Sequence, residues 1–136
     1  MSRQIFVNLP VRDLDRAKAF FSQLGFSFNP RFSDATAACM VVADNILVML
    51  LTHEKFSGFT PGPICDARTS TEVLVCLSCD SRDEVDDFVR KALAAGGSTF
   101  REPEDHGFMY GHAFQDPDGH VWELAYVDMD AMPQPQ

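Results

Sequence analysis

A chain of 136 residues has the length of one domain and buries about two-thirds of its unfolded surface on folding, and 46% apolar with 23% charged residues is a globular composition. A formal charge of −9, from 20 acidic residues against 11 Lys and Arg, opposes nucleic acid and anionic membranes as partners, and no basic stripe offsets it. No apolar run approaches the about 20 residues that cross a bilayer, and the start MSRQIFVNLPV lacks the pattern of a signal peptide, so the expected location is the cytoplasm.

Ile5–Leu9 reads as the first strand, with Phe6 and Asn8 on one face and Ile5, Val7 and Leu9 on the other. Pro10 has no N–H to give a ladder, so the strand should end there or lie at an edge. Asp13 is the expected N-cap of a helix over Leu14–Leu24, whose Leu14, Ala17, Phe20, Phe21 and Leu24 recur at helical spacing. Gly25 closes that helix. Phe26–Phe28, Ala37–Ala43 and Ile46–Thr52 are the next strands, the last two joined at Asp44-Asn45.

The second half repeats this grammar. VLVCLSCDSRDEVDDFVRKALAAGG is again a strand, a cap and a helix closed by glycine. Ser81 and Glu84 form an S-x-x-E capping box, and Val85, Phe88, Val89 and Leu93 supply the apolar stripe. Phe6 superimposes in register on Leu74, Asn8 on Cys76, Ala17 on Val85 and Phe20 on Phe88. An internal repeat of order β-α-β-β-β follows, and Ser98–Arg101 begins its remaining strands. A single domain spanning 1–136 is thereby divided into a first module 4–52, a linker or flap 53–71, a second module 72–127 and a flexible tail 128–136. Phe56 and Phe59 favour the flap, because a plain linker gains nothing by exposing aromatic rings.

Cys39, Cys65, Cys76 and Cys79 have no disulfide-framework spacing. Residues 76 and 79, three apart in a strand, point to opposite faces, which favours reduced thiols over a zinc or redox pair.

Tyr110–Tyr126, YGHAFQDPDGHVWELAY, reads as two strands joined at Asp116-Pro117-Asp118-Gly119. A four-residue turn pairs Gln115 with His120, Phe114 with Val121 and His112 with Glu123. His112 and Glu123 then share a face, with Tyr110 two residues along, while Trp122, Leu124 and Tyr126 cover a core. A one-residue bulge would invert that parity. His120 lies beside the turn and faces away from His112; His53 and His106 lie in loops, where either closes over a ligand or stays on the surface.

The repeat, the FVNLPVRDLDRAKAFFSQLGF opening and the FQDPDGHVWEL ending resemble the vicinal-oxygen-chelate superfamily of glyoxalase I, bleomycin-resistance proteins and extradiol dioxygenases, over roughly Ile5–Val127. The resemblance implies an α+β fold of two βαβββ modules with curved mixed sheets enclosing a shared cleft, and a homodimer. It places metal ligands of the enzymes at the positions of Phe6, Leu50, Leu74 and Glu123, of which only Glu123 has a side chain fit for a divalent ion. No metal and no cofactor are therefore expected.

In such a cleft Phe6, Val48, Leu50, Leu74 and Val121 form an apolar wall, and Asn8, Cys76, Tyr110, His112 and Glu123 converge as polar groups, as in small-molecule pockets. Metal-free binding of a small, partly apolar organic molecule, in the manner of bleomycin-resistance proteins, is the leading reading. Its alternatives are an enzyme using His112 and Glu123 as acid and base, one with a non-standard metal set such as His53, His112 and Glu123, and an interaction module whose cleft is filled.

Overall fold

The computed structural model describes residues 3–133. Two compact units divide the chain between Asp66 and Ala67. Each has one four-stranded mixed sheet.

In the first unit, β1 (Ile5–Val11), α1 (Leu14–Gln23), β2 (Ser27–Asn29), β3 (Ala37–Ala43), β4 (Ile46–Thr52) and α2 (His53–Ser57) follow in order. The sheet runs β1-β4-β3-β2, with β1 parallel to β4 and the other pairs antiparallel. Helix α1 starts where Asp13 accepts the Arg16 N–H at 3.1 Å, and stops at Gly25, whose φ of +101° suits a residue without Cβ. Its Leu14, Ala17, Phe20 and Phe21 are buried, the two rings meeting edge-on at 4.9 Å. Burial of Leu14, Phe20 and Phe21 stabilises the unit by about 1.5–3 kcal/mol each. The first strand continues through Pro10 to Val11. An edge strand tolerates this because only one of its sides is paired.

Residues 53–57 are helical, which periodicity could not show for so short a segment. Thr52 begins the turn by accepting the Lys55 N–H through its hydroxyl at 3.3 Å.

The second unit contains β5 (Leu74–Ser78), α3 (Arg82–Ala94), β6 (Glu104–Asp105), β7 (Met109–Gln115) and β8 (Val121–Val127). Its order, β5-β8-β7-β6 with β5 parallel to β8, repeats that of the first unit. Two βαβββ modules are thus present, as the repeat implies. Ser81 caps α3 by accepting the Glu84 N–H at 3.1 Å. Ala92 rather than Leu93 completes the buried stripe with Val85 and Val89, and Leu93 stays 45% exposed. Ala92 lies seven residues from Val85, two turns along the same face, and Leu93 is turned about 100° further.

The strand expected at Ser98–Arg101 is reduced to one bridge, Ser98 with Gln115. Beyond it the Thr99 hydroxyl donates to the Ala113 carbonyl at 2.7 Å and so takes an acceptor the ladder needs. Pairing resumes, shifted, at β6, where Glu104 faces Gly111. Past β8 the Asp128 N–H donates to the Phe108 carbonyl at 2.7 Å. Of the tail 128–136, residues 134–136 lie outside the described residues.

The β7–β8 turn is one residue longer than expected, and one carboxylate accounts for it. Asp116 Oδ1 accepts the N–H groups of Asp118 and His120 at 3.0 Å each, and Oδ2 accepts the Trp122 indole N–H at 3.0 Å. His120 is thereby drawn into the turn. Gln115 pairs with Val121, Ala113 with Glu123, and His112 with Leu124.

Candidate functional site

That register divides the second module's sheet into two chemically different faces. Adjacent partners on strands point the same way, so Tyr110, His112, Phe114, Trp122, Leu124, Val75 and Leu77 share the face that α3 covers. Tyr110 donates its hydroxyl to Asp86 Oδ1 on α3 at 2.6 Å, which pushes its pKa up to about 12. The Arg82 guanidinium lies 5.0 Å from the Tyr110 ring centroid and holds Asp105 through two contacts of 2.7 and 3.0 Å. His112 is only 9% exposed; burial lowers its pKa. Its Nδ1 accepts the Ala113 N–H at 2.9 Å, which leaves the neutral ring's proton on Nε2. The expected meeting of His112 with Glu123 is therefore corrected: the two side chains leave the sheet in opposite directions.

The other face brings Leu74, Cys76, Val121 and Glu123 together. Leu74 registers with Val121 and Cys76 with Glu123 on the neighbouring parallel strand. Leu74 is 57% exposed, Cys76 is exposed and Val121 is buried. Burial, and then the charge of Glu123, raise the Cys76 pKa, while Arg101 lowers it. Cys76 is thus a thiol at neutral pH rather than a nucleophilic thiolate.

In the first module, β1 registers Val7 with Val48 and Leu9 with Leu50, whereas Phe6 and Asn8 register with Leu47 and Met49. Val48 and Leu50 therefore do not share the face of Phe6 and Asn8. They are 1% and 0% exposed and belong to the core, while Phe6 and Asn8 are exposed. Parallel pairing offsets the two strands by one residue from the parity that their separate alternation implies.

Arg101 is the charged residue beside Glu123 that sequence reasoning passed over. One lone arginine in a segment read as a strand gives no motif; its position on the open face follows only from the interrupted ladder. It reaches across β7 so that Nη2 lies 3.4 Å from Glu123 Oε2, with Nη1 3.4 Å from Glu104 Oε1. Glu123 and Arg101 side chains are 28% and 33% exposed.

The divalent ion implied by the resemblance does not fit these residues. Phe6, Leu50 and Leu74 offer only carbon, Leu50 is sealed in the core, and Glu123 lies 3.4 Å from the Arg101 guanidinium. Among the described residues no group of three His, Cys, Asp or Glu side chains is placed to hold a metal. The set His53, His112 and Glu123 fails because its last two members lie on opposite faces of one sheet.

His120 belongs to a buried polar cluster at the hairpin end. It is 2% exposed, and its Nδ1 lies 2.6 Å from Glu72 Oε1. The cluster fastens the chain before β5 to the hairpin; a Cβ on Gly119 would come within 2.8 Å of the Ala67 and Arg68 backbone. His106 lies on the surface, 3.4 Å from Glu104. Phe59 is 71% exposed, with Lys55 Nζ 5.6 Å from its ring centroid. No helix among the described residues is long and apolar enough to cross a membrane.

A family profile described as Glyoxalase/Bleomycin resistance protein/Dioxygenase superfamily matches residues 3–124. Among solved structures, a hypothetical protein from S. aureus superimposes with a TM-score of 0.79 at 27% identity, covering 93% of this chain and 95% of that one. A bleomycin resistance determinant encoded on the transposon Tn5 does so with a TM-score of 0.66 at 25% identity, covering 94% and 100%. A glyoxalase/bleomycin resistance protein/dioxygenase family enzyme from Burkholderia phytofirmans shares the fold at 20% identity, with a TM-score of 0.76 and coverage of 93% and 99%. No curated protein matches the chain.

Proposed function

Because the chain belongs to the glyoxalase/bleomycin-resistance/dioxygenase superfamily, we propose that it binds a small, partly apolar organic molecule without a metal, on the open sheet face of the second module. One observation carries this reading: register places the exposed carbon surface of Leu74 beside Cys76 and Glu123 on one sheet face, with Val121 buried beneath. A mostly apolar surface with a few convergent polar groups is how small-molecule sites are built. The likeness to a bleomycin resistance determinant supports the reading that an organic molecule is bound. Glu123 orients the ligand's polar end; Tyr110 and His112 brace the sheet from behind. Phe6 and Asn8 present a second exposed apolar and amide pair on β1 of the first module.

The edge strands β1 and β5 expose Ile5 (56%), Phe6 (46%) and Leu74 (57%), which supports a homodimer. The cysteines, with no disulfide-framework spacing, suit the reducing cytoplasm. Native mass spectrometry of protein taken directly from cells tests the binding reading. A retained organic molecule lost on Leu74→Glu supports it; a retained molecule unaffected by that change places the ligand elsewhere. Sedimentation velocity tests the dimer, and a single monomeric species at working concentration rejects it.

A further inference from the structure

Three arginines of the second module contact carboxylates: Arg90 pairs with Asp87 one turn away on α3, and the other two, Arg82 and Arg101, differ in kind. Arg82 makes the short two-point contact with Asp105, at 2.7 and 3.0 Å, and also donates to the Gly107 carbonyl at 3.0 Å. Such geometry is that of a satisfied structural ion pair. Arg101 meets Glu104 and Glu123 only at 3.4 Å each. Its Nε is buried and has no hydrogen-bond partner among the described residues. A buried N–H left without an acceptor costs about 1–3 kcal/mol and calls for an explanation.

We infer that the Arg101–Glu123 couple is the polar recognition element of the open face, and that it takes a ligand head group presenting a hydrogen-bond acceptor beside a donor, as a carboxamide does. The inference rests on the small-molecule reading above and narrows it. The guanidinium shifts from its long contacts to donate to the acceptor, and Glu123 accepts from the donor. Leu74 and Phe100, 57% and 55% exposed, offer apolar surface for the rest of the molecule.

Charge decides against the simpler alternatives. Arg101, Glu104 and Glu123 together carry a net −1, so an anionic head group gains the arginine but meets two carboxylates. A cationic head group gains a carboxylate but leaves the arginine's donors unused. A neutral head group with both functions satisfies each partner without adding charge.

The experiment compares 1-naphthamide, 1-naphthoate and 1-naphthylmethylammonium by calorimetry on the wild type, Arg101→Met and Arg101→Lys. The amide should bind the wild type tightest. Arg101→Met should weaken it about tenfold or more and leave the ammonium probe as tight as before or tighter. Arg101→Lys keeps the charge but not the planar fork, and should lose most of the amide preference while unfolding at the wild-type temperature. Should Arg101→Met fail to fold, the lysine variant decides alone. Tighter binding of either charged probe, or an unchanged amide affinity in the folded variants, overturns the inference and leaves the small-molecule reading standing. Binding of none of the three overturns both.

Discussion

Glu123 and His112 project from opposite faces of one sheet, Glu123 paired with Ala113 and His112 with Leu124 across the same hairpin. Changing each to glutamine should therefore give two different phenotypes. Glu123→Gln should weaken 1-naphthamide binding by about 1–2 kcal/mol with little change in unfolding, since the charge is partly solvated. His112→Gln should leave binding intact and lower stability by about 1 kcal/mol. Calorimetry with urea unfolding on both variants checks this; equal loss of binding would show that the faces communicate.

Acid should act on the fold through two buried groups of opposite sign. Burial raises the Asp116 pKa to about 6, against the three N–H groups that it accepts. Its contribution is full below the unfolded value of 3.8 and is lost as pH rises through about 6, on the order of 1–3 kcal/mol. His112 is held low by burial, so its contribution is full above 6.5 and is lost as pH falls through its folded value. The wild type should show a shallow profile between these limits. His112→Gln should become more stable on acidification, and Asp116→Asn less stable, in urea titrations at several pH values. Identical profiles for all three proteins would contradict the assignment.

Gly119→Ala should destabilise more than Gly25→Ala. Both residues have positive φ, of +93° and +101°. A methyl at Gly25 meets nothing within 4 Å, whereas one at Gly119 meets the Ala67 and Arg68 backbone at 2.8 Å. The left-handed conformation alone costs about 1–2 kcal/mol, so Gly119→Ala should exceed this. Thermal unfolding of the two variants ranks them, and a reversed order would refute the close approach.

Thiol labelling should separate the four cysteines. Cys65 and Cys76 are exposed, Cys39 and Cys79 buried. Burial, and then Glu84, push the Cys79 pKa up to about 12. With an aromatic disulfide reagent near pH 8, Cys65 should react first, Cys76 more slowly, and the buried pair only on unfolding. Glu123→Gln should speed Cys76 selectively, because Glu123 is one of the causes raising its pKa. Uniform rates would argue against this arrangement.

Elements governed by local chemistry were legible in the sequence. Asp13 before an apolar stripe and Gly25 after it bounded α1, and alternation around Asp44-Asn45 gave β3 and β4 with the observed limits. Features set between elements were not. The β7–β8 register depends on one Asp116 oxygen accepting two N–H groups, which composition of the turn does not distinguish from a four-residue loop. Val48 and Leu50 shared a periodicity with Phe6 and Asn8, yet parallel pairing offset the strands by one residue. Arg101 became visible only because the Thr99 side chain ended a ladder that its sequence would have allowed to continue.

The Asp116 turn also imposes a rule of parity on the module. Strand side chains alternate, so a hairpin lengthened or shortened by one residue would bring Trp122 to the open face and Glu123 beneath α3, unless β8 also slipped against β5. A carboxylate would enter the core and an indole would enter water. Insertions and deletions at this hairpin are therefore tolerable in steps of two, and the chemistry of the open face can diversify by substitution along β5, β7 and β8 but not by single-residue edits to the loop that joins them.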